Sequence, residues 1–376
     1  MILTNGKVFE ADGIFREKDI AFENGVITAT GNPGTLHGSE VLDAKGAYIV
    51  PGYVDIHSHG AAGADFCDGK TSDIETILAH EGKQGVTSWF GTTMAFSEEI
   101  LSGIFAAAKP LFGKATGSAT LRGVNMEGPY FNKSKKGAQA EKYIIDPDAE
   151  MFDRLYTLSG GNISLVDMSP ELPGSIEFVQ QASKKCVVSI AHTAATYEEA
   201  MAAYNAGANH TTHLFNAMPG FTHRAPGVVG AAADAGAYVE LISDGVHIHP
   251  SVVRSVFKLF GDDRVCLISD SMRAAGMPNG EYSLGGQKVF MTDGKATLED
   301  GTIAGSATDL AECVRRAVKF GVPVESALKA ATVTPAKSLG VEKTVGTLAV
   351  GSSADVQILD EDLKPLHIWA QGVKIV

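Results

Sequence analysis

Tyr48-Ile-Val-Pro-Gly-Tyr-Val-Asp-Ile-His-Ser-His-Gly60 is an apolar, β-prone run that stops at two histidines one residue apart. It reads as a strand over Tyr48–Ile56 with His57 and His59 at its C-terminal end. Residues i and i+2 of a strand share a face, so both imidazoles point the same way. Upstream the text is all β. Short runs at Ile2–Phe9, Asp19–Phe22 and Val26–Thr30 are separated by turn chemistry at Asn5-Gly6, Asp12-Gly13, Asn24-Gly25 and Asn32-Pro33. The C-terminal 30 residues repeat that texture, with strands expected at Ala354–Leu359 and Leu366–Trp369.

Downstream of the histidines the pattern changes. Apolar runs at Gly85–Phe90, Leu121–Met126, Ile163–Met168, Cys186–Ala191, His210–His213, Val239–Ser243 and Val265–Ser269 alternate with helical stretches. Those helices are expected at Thr71–Gln84, Ser97–Lys109, Asp146–Leu158, Ser175–Lys184, Thr196–Asn205 and Ser251–Phe260. Ser97 before Glu98-Glu99 and Thr196 before Glu198-Glu199 are start signals. Eight strands alternating with helices predict a (β/α)8 TIM-type barrel. A doubly wound open sheet is the alternative, weakened because no GxGxxG follows the first barrel strand. Neither terminal segment is large enough to bury a core alone. The expectation is therefore a small discontinuous β-sandwich from residues 1–51 plus 346–376, with the barrel at 52–345.

The 376 residues are 44% hydrophobic and carry a formal charge of −13. No apolar run reaches the ~18 residues of a membrane helix, and the first ten residues lack the apolar stretch of a signal peptide. A cytoplasmic protein is expected, without membrane partners. An acidic chain without basic runs is a poor match for a phosphate backbone, so nucleic acid is not expected either. Cys67, Cys186, Cys266 and Cys313 are scattered, with no CxxC pair and no disulfide framework.

Functional residues of such a barrel gather at the C-terminal strand ends. There the sequence places His57 and His59, then Glu127, His192, His213 and Asp270. His192 and His213 lie 21 residues apart, one βα unit, and so occupy neighbouring strands. Imidazole and carboxylate ligands suit a divalent Zn, Fe, Mn or Co ion, and the lack of nearby thiolates argues against a structural Cys-type zinc site. Such an ion lowers the pKa of bound water from about 15.7 to about 7 and polarises a carbonyl. The resulting hydroxide needs a group that takes a proton and later returns it, a task suited to Asp270. Hydrolysis of a carbon–nitrogen bond is the expected reaction.

Several phrases carry a more specific resemblance: Pro51–Gly60, Asn125-Met-Glu-Gly-Pro-Tyr130, Ile190-Ala-His-Thr193, His213-Leu-Phe-Asn-Ala-Met-Pro219, Arg224-Ala-Pro-Gly227 and Ser243-Asp-Gly-Val-His247. Across nearly its whole length the chain resembles the N-acetylglucosamine-6-phosphate deacetylases of the amidohydrolase superfamily. That resemblance implies hydrolysis of an acetamide on a small phosphosugar in amino-sugar catabolism and recycling. It also implies a principal metal on Glu127, His192 and His213, and a second on His57 and His59 bridged by Glu127. One or two ions per subunit are thus expected. Asp270 matches the general base and acid, and His247 the group that polarises the acetyl carbonyl. Asn216, Ala217 and Arg224 match sugar-phosphate contacts, and the family implies a homodimer.

Two positions depart from the family pattern: Ala225 where many relatives have glutamate, and Ser271 where alanine is usual. His223 and His249 receive no role. The GalNAc-6-phosphate deacetylase reading differs only at the sugar C4 configuration. A cyclic-amide hydrolase would commonly use a carboxylated lysine, which the third and fourth strand ends do not offer. A non-enzymatic scaffold would have lost its ligands, and here every ligand position is filled.

Overall fold

The computed structural model describes residues 1–376. Its centre is a ring of eight parallel strands: β1 (Tyr53–Ser58), β2 (Val86–Thr92), β3 (Thr120–Tyr130), β4 (Ile163–Met168), β5 (Val187–Ile190), β6 (His210–Thr211), β7 (Tyr238–Leu241) and β8 (Val265–Leu267). Each pairs with the next in chain order, as a singly wound barrel requires. The β8–β1 seam is joined by single bonds. Asp270 N–H donates to the His57 carbonyl at 2.9 Å, and the Ser271 hydroxyl lies 2.9 Å from that of Ser58 and from the Gly60 carbonyl. Ser271, unusual for the resembled family, thus clips the strand carrying Asp270 to the strand carrying His57 and His59.

Outward-facing Trp89, Leu121, Val166, Ile190, Val239 and Leu267 pack against the surrounding helices in one continuous core. The helices begin where their start signals stand. The Ser97 hydroxyl accepts the Ile100 N–H, and Thr196 with Glu199 forms a reciprocal capping box. The helix Pro250–Phe260 begins one residue earlier than expected, because proline's missing N–H costs nothing in a first turn. His249 precedes it, and its Nδ1 accepts the Ser251 N–H at 3.2 Å, which gives this histidine a capping role.

The two ends of the chain share one eight-stranded sheet, the β-sandwich packed beside the barrel. Ile2–Phe9 pairs antiparallel with Phe15–Glu23 and parallel with both Val41–Asp43 and Tyr48–Pro51. The sheet therefore branches at its first strand. Val356–Leu359 and Pro365–Ala370 extend it from the other end of the chain. Leu3, Ile20, Ile49, Val356, Ile358 and Trp369 form its core, which needs residues from both ends.

The single strand expected over Tyr48–Ile56 is two strands in two sheets. Tyr48–Pro51 runs antiparallel to Val356–Leu359, whereas Tyr53–Ser58 is β1 of the barrel. Both halves are apolar and buried, so periodicity could not reveal the break. Gly52 is the joint. Its N–H donates to the Asp355 carbonyl at 2.9 Å, and a Cβ there would stand 2.0 Å from Thr87 Oγ1. Gly52→Ala is expected to lower stability by about 1–3 kcal/mol through overpacking. An unchanged urea midpoint would refute this.

A feature not anticipated from sequence follows β8. Gly280–Leu284, Gln287–Thr292 and Lys295–Thr297 form a three-stranded antiparallel sheet. Its Leu284, Val289 and Met291 pack on Met94 and Met272, so it leans over the C-terminal mouth of the barrel.

Candidate active site

The barrel mouth encloses a cavity of about 380 Å³, lined among others by His59, Glu127, His192, His213, His247 and Asp270. Glu127 lies within β3, and the others stand at or just beyond their strand ends. His192, His213 and Asp270 all have positive φ, at 44°, 29° and 47°. Non-glycine residues rarely adopt this region, and such strain concentrates where a side chain must be aimed at a site.

The aiming is visible at the ring nitrogens. Glu127 Oε1 lies 3.1 Å from His192 Nε2 and 3.2 Å from His213 Nε2, and those two nitrogens are 3.1 Å apart. Beside them, Asp270 Oδ1 lies 3.3 Å from His59 Nε2 and 3.7 Å from His57 Nε2. The other Glu127 oxygen, Oε2, is 3.5 Å from His59 Nε2. The sequence-predicted ligands thus form two adjacent groups, Glu127 with His192 and His213, and His57 with His59 and Asp270.

The opposite ring nitrogens fix the tautomers. His57 Nδ1 lies 2.8 Å from Glu240 Oε2, His192 Nδ1 2.8 Å from the Lys135 carbonyl and His59 Nδ1 3.3 Å from the Thr92 carbonyl. Carbonyl and carboxylate oxygens only accept, so each Nδ1 carries a proton, and in the neutral ring Nε2 then presents a lone pair inward. His57 Nε2 is buried with no hydrogen-bond partner. Lone pairs converging on carboxylates in this way fit a divalent cation, which would satisfy all of them together.

A family model described as the amidohydrolase family matches residues 48–374. The chain belongs to the amidohydrolase family. It is 34% identical to the N-acetylglucosamine-6-phosphate deacetylase of Lysinibacillus sphaericus, over 96% of this chain and 94% of that protein. It is 33% identical to the N-acetylgalactosamine-6-phosphate deacetylase of Escherichia coli O157:H7, over 99% and 98%. Among solved structures it is similar to the N-acetylglucosamine-6-phosphate deacetylase of Pasteurella multocida, with a TM-score of 0.93 at 28% identity, covering 99% of this chain and 98% of that one. A mutant of the Mycobacterium smegmatis enzyme in complex with N-acetyl-D-glucosamine-6-phosphate gives 0.92 at 29% identity, covering 100% and 99%. Amidohydrolases are generally dependent on divalent metal, and this chain has the ligand groups for it.

Electrostatics in this amidohydrolase follow from burial and pairing. Burial alone would raise the Glu127 carboxyl, but the surrounding imidazoles of His192, His213 and His59 outweigh it and hold the group well below its ordinary range. Burial opposes Asp270 ionisation too, and His59, His57 and His213 reverse the sign. His247 stands on the far wall of the cavity. Its Nδ1 is 2.8 Å from Asp244 Oδ2, and Asp244 Oδ1 accepts the N–H groups of Val246 and His247. Burial pulls the His247 pKa down, yet the Asp244 hydrogen bond and charge carry it above its ordinary value.

The Asp244–His247 pair gives a signed expectation. A raised histidine stabilises fully below its unfolded pKa of about 6.5, and that contribution fades as pH rises through the folded value. The depressed Asp244 stabilises above about 3.8 and loses this as pH falls through its folded value. Relative to the native protein, Asp244→Asn should show its largest loss of urea midpoint between about pH 4 and 6.5. A pH-independent deficit would refute the pairing.

Asn216 and Ala217 line the cavity as the sequence led one to expect. Arg224 does not. It lies with His223 on the exposed stretch 220–225, which also presents Phe221 at 52% exposure. The cation in the cavity wall is Lys135, in the single 3-10 turn Lys133–Lys135, too short to show a period. Gln139 was missed for the same reason; its Nε2 donates to Glu127 Oε2 at 2.5 Å while its Oε1 accepts the Ala95 N–H. Glu240 and Asp244 did leave a signal, a carboxylate inside the apolar run Tyr238–Ser243 and another directly after it.

Proposed function

We propose that this chain hydrolyses the acetamide of N-acetyl-D-glucosamine 6-phosphate to D-glucosamine 6-phosphate and acetate, in amino-sugar catabolism. The observation that carries the proposal is the convergence of four histidine Nε2 atoms on Glu127 and Asp270 in a chain whose near-full-length relatives bear that name. Glu127, His192 and His213 would hold one divalent ion, and His57 and His59 a second, with Zn, Fe, Mn or Co all compatible with these donors. Bound there, the metal supplies acidified water and a polarised carbonyl.

The chain's own residues account for the proton and the substrate. Asp270 Oδ1 takes a proton from the attacking water and returns it to the departing amine nitrogen. His247, protonated at Nδ1 toward Asp244, turns Nε2 into the cavity. Its raised pKa favours a second proton there, so that an N–H faces the acetyl oxygen as charge develops. Asn216 and Ala217 would border the sugar, with Lys135 as the cation of the cavity wall. Arg224 would serve the phosphate through its paired N–H donors from the exposed loop, next to a second subunit of a homodimer. The division into residues 1–51 plus 346–376 and 52–345, and a cytoplasmic setting, complete the reading. No helix is long and apolar enough to cross a membrane.

The E. coli relative's name supports a second reading, with N-acetylgalactosamine 6-phosphate as substrate. Acetate release from both phosphosugars and from unphosphorylated N-acetylglucosamine, with metal content measured in parallel, tests the proposal. Release is expected from a phosphosugar at far higher kcat/KM than from the free sugar. Arg224→Ala is expected to raise KM for the phosphosugar about tenfold, the effect of losing roughly 1.4 kcal/mol of a charge-assisted contact. Equal rates with and without phosphate would overturn the phosphosugar assignment.

A further inference from the structure

Beneath the metal-ligand groups, inside the barrel, stands a carboxylate that the reaction does not use. Glu240, on β7, is fully buried, and one of its oxygens serves both groups. Oε2 accepts the His57 Nδ1–H at 2.8 Å and the backbone N–H of His213 at 3.2 Å. His57 belongs to one candidate ligand group and His213 to the other. Oε1 faces His210 Nε2 at 3.4 Å. No other side chain reaches both groups from below.

The two bonds do different work. The bond to His57 Nδ1 fixes a proton on that nitrogen and leaves Nε2 as the atom offered to an ion, 3.7 Å from both Glu127 Oε1 and Asp270 Oδ1. The bond to the His213 N–H pins a peptide at φ 29°, a conformation that a non-glycine residue holds only when its neighbours enforce it. We propose that Glu240 is a positioning residue that couples the two ligand groups, so that the His57 group and the His213 group are set, or lost, together. The inference rests on reading the cavity as a metal centre.

Both bonds go to one oxygen, and this makes a decisive substitution available. Glutamine can place its carbonyl oxygen at the Oε2 position and its amide toward His210 Nε2, keeping both contacts without the charge. Methionine fills the same volume and keeps neither. Metal per chain is measured after equilibrium dialysis against a graded series of free Co²⁺, alongside the visible d–d spectrum of the bound cobalt. The wild-type chain serves as reference, and cobalt binding by it at a His/carboxylate site establishes the metal centre independently of Glu240. A wild type that binds none removes the metal reading itself.

Glu240→Met is expected to weaken cobalt binding by about 10–100-fold, the range for loss of a ligand's hydrogen-bonding partner, and to change the spectrum contributed by both groups. Glu240→Gln is expected to keep the wild-type spectrum with affinity within a few-fold. Three results overturn the coupling: a methionine variant with wild-type binding, one that loses the His57 group alone while the His213 group is untouched, or a glutamine variant as damaged as methionine. If Glu240→Met does not fold, Glu240→Asp, too short to reach both partners, takes its place with the same expectations.

Discussion

Asp270→Asn is expected to lower turnover by about 10²–10⁴, the scale of a lost general acid–base group, while metal on Glu127, His192 and His213 is retained. Asparagine reproduces the shape and tolerates the positive φ of this position. The seam bond from the residue 270 N–H to the His57 carbonyl belongs to the backbone and survives. What is lost is the oxygen that accepts a proton. The same substitution removes charge from the His57–His59 group, so weaker binding of a second ion is expected there. Initial rates of acetate release at saturating substrate, with metal analysis on the same sample, check both statements. Turnover within threefold of wild type would remove Asp270 from the proton transfer.

Glu127→Ala is expected to be more damaging, because one carboxylate faces all four metal-directed histidines. Its Oε1 lies within 3.7 Å of His57, His192 and His213, and its Oε2 within 3.5 Å of His59. Removing it leaves Asp270 as the one carboxylate facing their Nε2 atoms. At least one metal equivalent per chain should be lost on dialysis, and acetate release should fall by at least about 10²–10³. Excess metal should not restore it, since the ligand that would join both groups is gone. A variant that keeps its full metal complement would show that Glu127 is not a ligand.

These expectations draw on residues legible in the sequence, and the reason is geometric. A barrel strand has period two and a fixed rim, so His57, His59, His192, His213 and Asp270 could be placed from strand ends, and Glu127 from the expected end of a strand that runs on to Tyr130. The break at Gly52 was hidden, because two buried strands in succession read as one apolar run. The sheet over Gly280–Thr297 was hidden too, although Gly285-Gly286 marks its hairpin. Its strands are short, half-exposed and secured by packing on Met94 and Met272, contacts remote in sequence. Gln139 sits on irregular backbone and Lys135 in a single 3-10 turn, where no period exists to reveal direction. Arg224 shows the opposite limit: a motif can name a residue without saying where it stands, and this one lies on the exposed stretch 220–225, outside the cavity lining.

The sheet shared by the two ends of the chain also sets a timetable for synthesis. Gln357 donates its side-chain amide to the Pro51 carbonyl across 306 residues of sequence. At about 5–20 residues per second on a ribosome, the strand Tyr48–Pro51 waits roughly 15–60 s for that partner. Throughout the wait Ile49 and Val50 have no C-terminal strand to cover them, although both are fully buried in the finished molecule. Closing that last ladder is a slow event, because loop-closure entropy over this separation is met before the contact rewards it. The nascent chain therefore carries an open, sticky edge through most of its translation, a natural point for chaperone capture that the mature enzyme no longer displays.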